Sequence, residues 1–202
     1  MLVLPLCQQF CPDKLPVKTD LQLGQGRDGE CLSIVGEPNK VIKLGIMYDQ
    51  FDNYHQIDRV LKYLQLTQPG MTTPYVKLYD YECLGTYPRP MINWGNGQQE
   101  FLLYYYIMEK LEKISEDEKK VFHTILSHED QAIEKNIDLF KIEKTLQGMS
   151  RGLDFNLKRI MLFCEQIKNS KIKHNDLHPR NIMKHGDGDF KAIDLDLCII
   201  NN

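Results

Sequence analysis

The spacing of apolar residues shifts from a mainly β-type first half to a mainly helical second half, and that shift restricts the folds open to this chain. From Leu21 to Leu44 the sequence reads as short β-type stretches: Leu21-Gln22-Leu23 before a glycine turn, Cys31 to Val35 after it, a Gly36-Glu37-Pro38-Asn39 turn, then Val41 to Leu44. The pattern predicts a three-stranded meander. Gln50 to Gln65 then carries Phe51, Tyr54, Ile57, Leu61 and Leu64 at helical spacing, closed by Pro69 and Gly70. Two further strand-like stretches, Tyr75 to Glu82 and Phe101 to Met108, lie on either side of a Pro/Gly/Asn-rich connection from Thr86 to Gly97 that reads as a loop.

From Ser115 onward the helical period takes over. Ser115-Glu116-Asp117-Glu118 is a capping box, in which the Ser hydroxyl and the Glu118 carboxylate each satisfy an orphan N–H, and it predicts a helix running to about Leu126. A second helix is expected from Asp138 to Leu146. A third follows the Gly148 to Asp154 stretch, capped by Asp154, with Leu157, Ile160, Met161, Cys164 and Ile167 on its apolar face. Two short β-type pieces, Asn181 to Met183 and Phe190 to Leu195, are bridged by the turn His185-Gly186-Asp187-Gly188-Asp189. The fold class is therefore α+β, a β-rich lobe followed by a helical one with a cleft expected between them.

Composition narrows the function classes. The 202 residues are 42% hydrophobic and 26% charged with a net charge of −3, as in an ordinary globule and unlike the basic surface of a nucleic-acid binder. Leu2 to Leu6 is broken by Pro5 and preceded by no basic residue, so it does not read as a signal peptide, and no run approaches the ~20 apolar residues of a membrane span. Six scattered cysteines without a C-x-x-C pair point to a reducing, cytoplasmic setting and to buried thiols rather than zinc. No nucleic acid and no membrane are expected as partners, and the chain is expected to act as a monomer.

Three features carry chemistry. Gly24, Gly26 and Gly29 form G-x-G-x-x-G between two strands, a turn whose N–H groups can approach an anion without Cβ interference. Because a strand follows rather than a helix, the dinucleotide and Walker readings are disfavoured. Alone the triplet is equally a flexible hairpin. Lys43, fourteen residues beyond Gly29, sits on the next strand, where a cation is ordinarily solvated but can reach under a glycine loop to phosphate oxygens. In Lys173-His174-Asn175-Asp176-Leu177-His178-Pro179-Arg180-Asn181, Asp176 and Asn181 lie five apart on a loop, and Asp194 follows thirteen residues later. One amide oxygen and one carboxylate suit Mg²⁺ beside a nucleotide, leaving Asp176 to orient and deprotonate a hydroxyl.

In this order, LGQGRDGE, VIKL, YIMEKL, HNDLHPRN and IDLD resemble the protein-kinase fold from Leu21 to Leu197. The resemblance implies a bilobal kinase-like domain over 1–202: an N-lobe over 1–108, an antiparallel sheet plus one helix, then the hinge and a minimal helical C-lobe over 109–202. It implies ATP and Mg²⁺ as cofactors, Asp176 as catalytic base, and Asn181 and Asp194 as metal ligands. Lys43 would be the α/β-phosphate contact, and Gly24, Gln25, Gly26 and Gly29 the phosphate loop. Cys31 and Val41 would roof the adenine, Met108 would be gatekeeper, and Glu109 to Leu111 would be the hinge. His174 would bond backbone near the metal-binding Asp.

The departures sharpen that reading. Asn175 stands where regulated protein kinases carry Arg, so control through a phosphorylated activation segment is not expected. Leu195-Asp196 replaces Phe-Gly, and His178 is similar to aminoglycoside and choline kinases. The helix after Lys43 has no Glu, which leaves Asp58 or Asp49 as partners for Lys43, each also suited to a solvated face. No Ala-Pro-Glu motif follows Asp194. Minimal kinases of this kind resemble those of viruses and phages and the short effector kinases that bacteria inject into host cells, including a type that phosphorylates a host heat-shock chaperone; host cytoplasm and a host protein substrate would go with that type. The functional expectation is a serine/threonine protein kinase, with a small-molecule kinase and a non-catalytic nucleotide-binding module as alternatives.

Overall fold

The computed structural model describes residues 3–26, 29–48, 53–69, 73–88, 100–135 and 157–201. The chain is α+β and divides into two compact units. The first comprises Met1–Thr72, Val76–Lys110 and Cys198–Ile200; the second comprises Thr73–Tyr75, Leu111–Leu197 and Asn201–Asn202.

The first unit is built on a five-stranded antiparallel sheet. Its strands are β1 (Thr19–Gln25), β2 (Gly29–Ile34), β3 (Glu37–Tyr48), β4 (Leu78–Pro88) and β5 (Glu100–Glu109), in the order β1-β2-β3-β5-β4. The meander of β1 to β3 forms, with its second turn at Val35-Gly36; Glu37, Pro38 and Asn39, expected in that turn, open β3 instead. Helix α2 (Asn53–Thr67) follows β3 and buries Ile57, Val60, Leu61 and Leu64, an i, i+3, i+4, i+7 stripe, against β3 and β4. β4 begins at Leu78, three residues later than expected, and runs on through Thr86 to Pro88, which were expected in a loop. Pro88 is tolerated at the strand's end because β4 is an edge. The remaining expected loop residues, up to Gly97, lie outside the described residues.

A short helix, α1 (Leu4–Phe10), is absent from the sequence expectations. Pro5 falls in its first turn, where the missing N–H has no partner to lose. Val3, Cys7 and Cys11 are buried with Leu32, Ile42, Leu44, Leu103, Tyr105 and Ile107, so α1 covers one face of the sheet. Phe10 adds an edge contact to Phe101 at 5.8 Å. Alternation along the strands sends Cys31, Val41, Lys43, Tyr106 and Met108 to the other face. β5 is buried on both faces, which is why its sequence is a nearly unbroken apolar run.

The second unit holds a three-stranded sheet of β6 (Glu112–Lys113), β8 (Ile182–Lys184) and β9 (Phe190–Ala192), the strand β7 (Ile172–His174), and helices α3 (Glu116–Lys135) and α4 (Leu157–Lys168). The capping box forms in full: Ser115 N–H donates to Glu118 Oε2 at 2.8 Å, and Glu118 N–H donates to Ser115 Oγ at 3.2 Å. α3 continues past Leu126 to Lys135. The helix expected at Asp138 to Leu146 and the Asp154 cap lie outside the described residues.

α4 buries Ile160 and Phe163, whereas Met161, placed on the apolar face by the sequence, is exposed. Phe163 decides the rotation by meeting Phe122 and Phe190 edge-on at 5.6 and 6.3 Å. The stripe that results, Ile160, Phe163, Cys164 and Ile167, fits the helical template better than the one centred on Met161. Thr73–Tyr75 completes this unit: Ala192 N–H donates to Pro74 O at 2.7 Å, and the Tyr75 hydroxyl donates to Ile172 O at 2.7 Å. Among the described residues no helix is long and apolar enough to cross a membrane.

Candidate functional site

In the first unit the glycine triplet closes the β1–β2 hairpin. Gly26 N–H donates to Gly29 O at 2.8 Å, and Gln25 and Gly24 pair with Glu30 and Cys31. Arg27 and Asp28 lie outside the described residues. At Gly29 the close approach is real: a Cβ there would sit 2.9 Å from Leu44 O and 3.1 Å from Lys43 Cε. The Lys43 side chain therefore runs beneath the hairpin, the position from which it can meet an anion held by the loop's N–H groups.

Lys43 is half-buried. It faces Cys31 across β2 and Tyr106 across β5, with its ammonium 5.7 Å from the Tyr106 ring centroid. Val41 pairs with Met108 on the same face, so Cys31, Val41, Lys43 and Met108, named from sequence, share one surface. Burial pushes the Cys31 thiol up to about 11 against the pull of Lys43, which makes Cys31 a neutral wall rather than a nucleophile.

Glu109 closes β5. Its N–H donates to Lys77 O at 3.0 Å and its Oε1 accepts Lys77 N–H at 2.8 Å, while Lys110 N–H donates to Asn39 O at 2.9 Å. Leu111 begins the second unit. Asp58, one of the two carboxylates weighed as a partner for Lys43, lies by β4, where its charge adds to burial in pushing Tyr81 and Cys83 up. Asp49 lies outside the described residues.

In the second unit the segment after β7 holds two of the expected residues, Asp176 and Asn181. Asn181, buried at the end of a one-turn 3-10 helix (Pro179–Asn181), donates from Nδ2 to Asp176 O at 3.0 Å and to Asp176 Oδ2 at 3.3 Å. Its amide nitrogen is thus turned toward Asp176, and its carbonyl oxygen is left as the end that can ligate a cation. Asn181 was expected in a strand; Pro179 instead starts a tight turn that buries it.

Ile193 ties Asp194 to this group. Its N–H donates to Asn181 O at 2.9 Å and its carbonyl accepts from His174 Nε2 at 2.8 Å. His174 Nδ1 accepts Asp176 N–H at 3.3 Å, which fixes the proton on Nε2. Burial pushes the His174 imidazole below its ordinary value, opposed by the Ile193 carbonyl and the charges of Asp194 and Asp176. Asp194 itself has φ 62°, the only left-handed residue besides glycine among those described. Such a backbone is held only where its surroundings fix it, and Ile193 is pinned on both sides.

The chemistry of these donors fits a hard cation. An amide oxygen and a carboxylate are the one or two protein ligands Mg²⁺ ordinarily accepts beside phosphate. Among the described residues no cluster of three or more His, Cys, Asp or Glu side chains could hold a metal, and the described cysteines are all reduced.

Two structural features escaped the sequence. Glu30 is buried, its carboxylate bonded to Leu4 N–H and to Gln22 Nε2. His178 caps the 3-10 turn by accepting Arg180 N–H on Nδ1 at 3.2 Å, which turns Nε2 toward Asp176 Oδ2 at 3.6 Å. The Asp-x-His spacing was a visible signal for the second; nothing in a lone Glu marks the first.

No family model and no curated protein matches this chain. Among solved structures it is similar to the ROP18 kinase domain in complex with AMP-PNP and sucrose, at 14% identity and a TM-score of 0.49, over 92% of this chain and 53% of that one. It is also similar to WbdD, in a co-crystal with the kinase inhibitor LY294002, at 12% identity and a TM-score of 0.42, over 93% and 35% of the two chains. The chain thus spans about half the length of the first and about a third of the second.

Proposed function

We propose that this chain is a Mg²⁺- and ATP-dependent phosphotransferase acting on a serine or threonine hydroxyl of a protein. The observation that carries the reading is the Asn181 clamp on Asp176, with Asp194 held alongside by Ile193. Two linked segments of the second unit thus support a reading in which Asp176 is the base and Asn181 and Asp194 offer oxygens of a kind that Mg²⁺ accepts. The first unit supplies the complementary chemistry, a glycine hairpin with a lysine beneath it.

In the reaction, the acceptor oxygen bonds to the γ-phosphorus, the bond to the bridging oxygen of the leaving ADP breaks, and the hydroxyl proton passes to Asp176. Asn181 fixes which way Asp176 points, and Lys43 neutralises charge on the nucleotide phosphates. Mg²⁺, when held by Asn181 and Asp194, would spread the charge that develops on the transferred group. The Asp176 side chain is 48% exposed, which favours a hydroxyl on a bulky acceptor over one enclosed in a pocket.

The test is incubation of the purified chain with γ-labelled ATP and Mg²⁺, against a cell lysate and a panel of aminoglycosides and choline. Label in discrete protein bands, lost in Asp176→Asn while nucleotide binding persists, supports the reading. Label on a small molecule alone moves the substrate class, and no transfer to anything leaves a binding module.

A further inference from the structure

Glu30 follows the last hairpin glycine and points to the α1 face of the sheet, opposite Lys43 and Cys31. It is 3% exposed. A carboxylate this buried is tolerated only when its oxygens are bonded: Oε1 accepts Leu4 N–H in the first turn of α1, and Oε2 accepts Gln22 Nε2 of β1 at 3.2 Å. An apolar side chain would fill the same place among Leu32, Leu44 and Cys7 without that desolvation, so packing alone does not call for Glu here.

What the carboxylate adds is direction. It links three segments, α1, β1 and β2, at the residue adjoining Gly29, and Gly29 in turn closes the hairpin through Gly26 at a place where a Cβ would meet Leu44 O and Lys43 Cε. We propose that Glu30 is a positioning residue for nucleotide phosphates, and that through it the seating of α1 is coupled to nucleotide affinity. The inference rests on the phosphotransferase reading above. It follows by linkage that whatever unseats α1 weakens nucleotide binding, and that nucleotide binding tightens α1 on the sheet.

The full chain is tested as wild type, Glu30→Met, Glu30→Gln and Gln22→Ala, using Mg²⁺ with AMP-PNP as the probe. Calorimetry reads affinity, hydrogen exchange reads amide protection from Gly24 to Cys31, and thermal melting reads the fold. Glu30→Met, which keeps the volume and removes the acceptors, is expected to melt no earlier than wild type yet bind the probe about fivefold or more weakly, with faster exchange in the hairpin. Glu30→Gln, which keeps an acceptor for Leu4, is expected to recover most of the affinity. Tight binding and unchanged exchange in a folded Glu30→Met overturn the inference and leave the phosphotransferase reading intact; no binding by wild type overturns both. Should Glu30→Met fail to fold, Gln22→Ala at its exposed position decides: weaker binding with faster exchange supports the inference, and wild-type values for both overturn it.

Discussion

Asn181 and Asp176 close a six-residue loop: the Asn181 Nδ2 lies 3.0 Å from the Asp176 carbonyl oxygen and 3.3 Å from its Oδ2. One side chain thereby holds both the backbone and the carboxylate of Asp176, the proposed base. Asn181→Ala removes the clamp together with the oxygen proposed to ligate Mg²⁺. Transfer from ATP is expected to fall about 100-fold or more, with the Mg²⁺ concentration for half-maximal rate rising, which steady-state assays across a Mg²⁺ series would show.

Gly45 has a different reason to be glycine. A Cβ there would lie 2.1 Å from Cζ of the fully buried Tyr104 ring. Gly45→Ala is expected to destabilise the chain by about 1–3 kcal/mol through overpacking. In a Tyr104→Leu background the same change is expected to cost less than about 0.5 kcal/mol, since the clash is gone. Denaturant unfolding of the four proteins of this cycle checks both values.

Glu118 serves α3 twice, accepting Ser115 N–H on one oxygen and meeting Lys184 Nζ of β8 at 2.5 Å on the other. It is almost wholly buried, whereas Lys184 is partly open to solvent. Glu118→Ala is expected to cost about 1–3 kcal/mol, from a lost cap and an ammonium left without its partner. Glu118→Gln keeps the cap and is expected to recover roughly half of that by the same measurement.

His174 makes stability depend on pH in a defined direction. Its ordinary value is 6.5, and burial holds it lower in the fold, so the unfolded chain binds the proton first as pH falls. The contribution is fully present above about pH 6.5 and is lost as pH drops toward the folded value. His174→Gln is expected to flatten that part of the pH–stability curve, which melts at about pH 7.5 and about pH 5.5 would register.

The legible parts of the fold were local. Ser115-x-x-Glu118 announces its own cap, the turn glycines announce the meander, and Ile57, Leu61 and Leu64 announce α2, since each signal lies within a few residues of the structure it causes. α1 was illegible because it is short, begins at a proline, and buries only Val3, Cys7 and Cys11, residues that look like helix face only once a sheet lies under them. Phe163 was passed over on α4 because the rotation of that helix is set by two distant rings, Phe122 and Phe190. Gly29, Lys43, Asp176, Asn181 and Asp194 stood out in the sequence by their motif spacing. Glu30 did not, because a strand glutamate ordinarily faces water, and only the tertiary placement of the α1 amide gives it a reason to be inside.

The assignment of Thr73–Tyr75 to the second unit and of Cys198–Ile200 to the first has a consequence for synthesis. Neither unit is a continuous stretch of polypeptide, so a ribosome that has released residue 110 has not yet delivered the last strand of the first unit, and a fragment beginning at Leu111 lacks the segment that pairs with Ala192. The nascent chain must therefore extend through Cys198–Ile200 before the first unit has that strand, and a cut between Lys110 and Leu111 would yield two pieces that each miss a segment carried on the other.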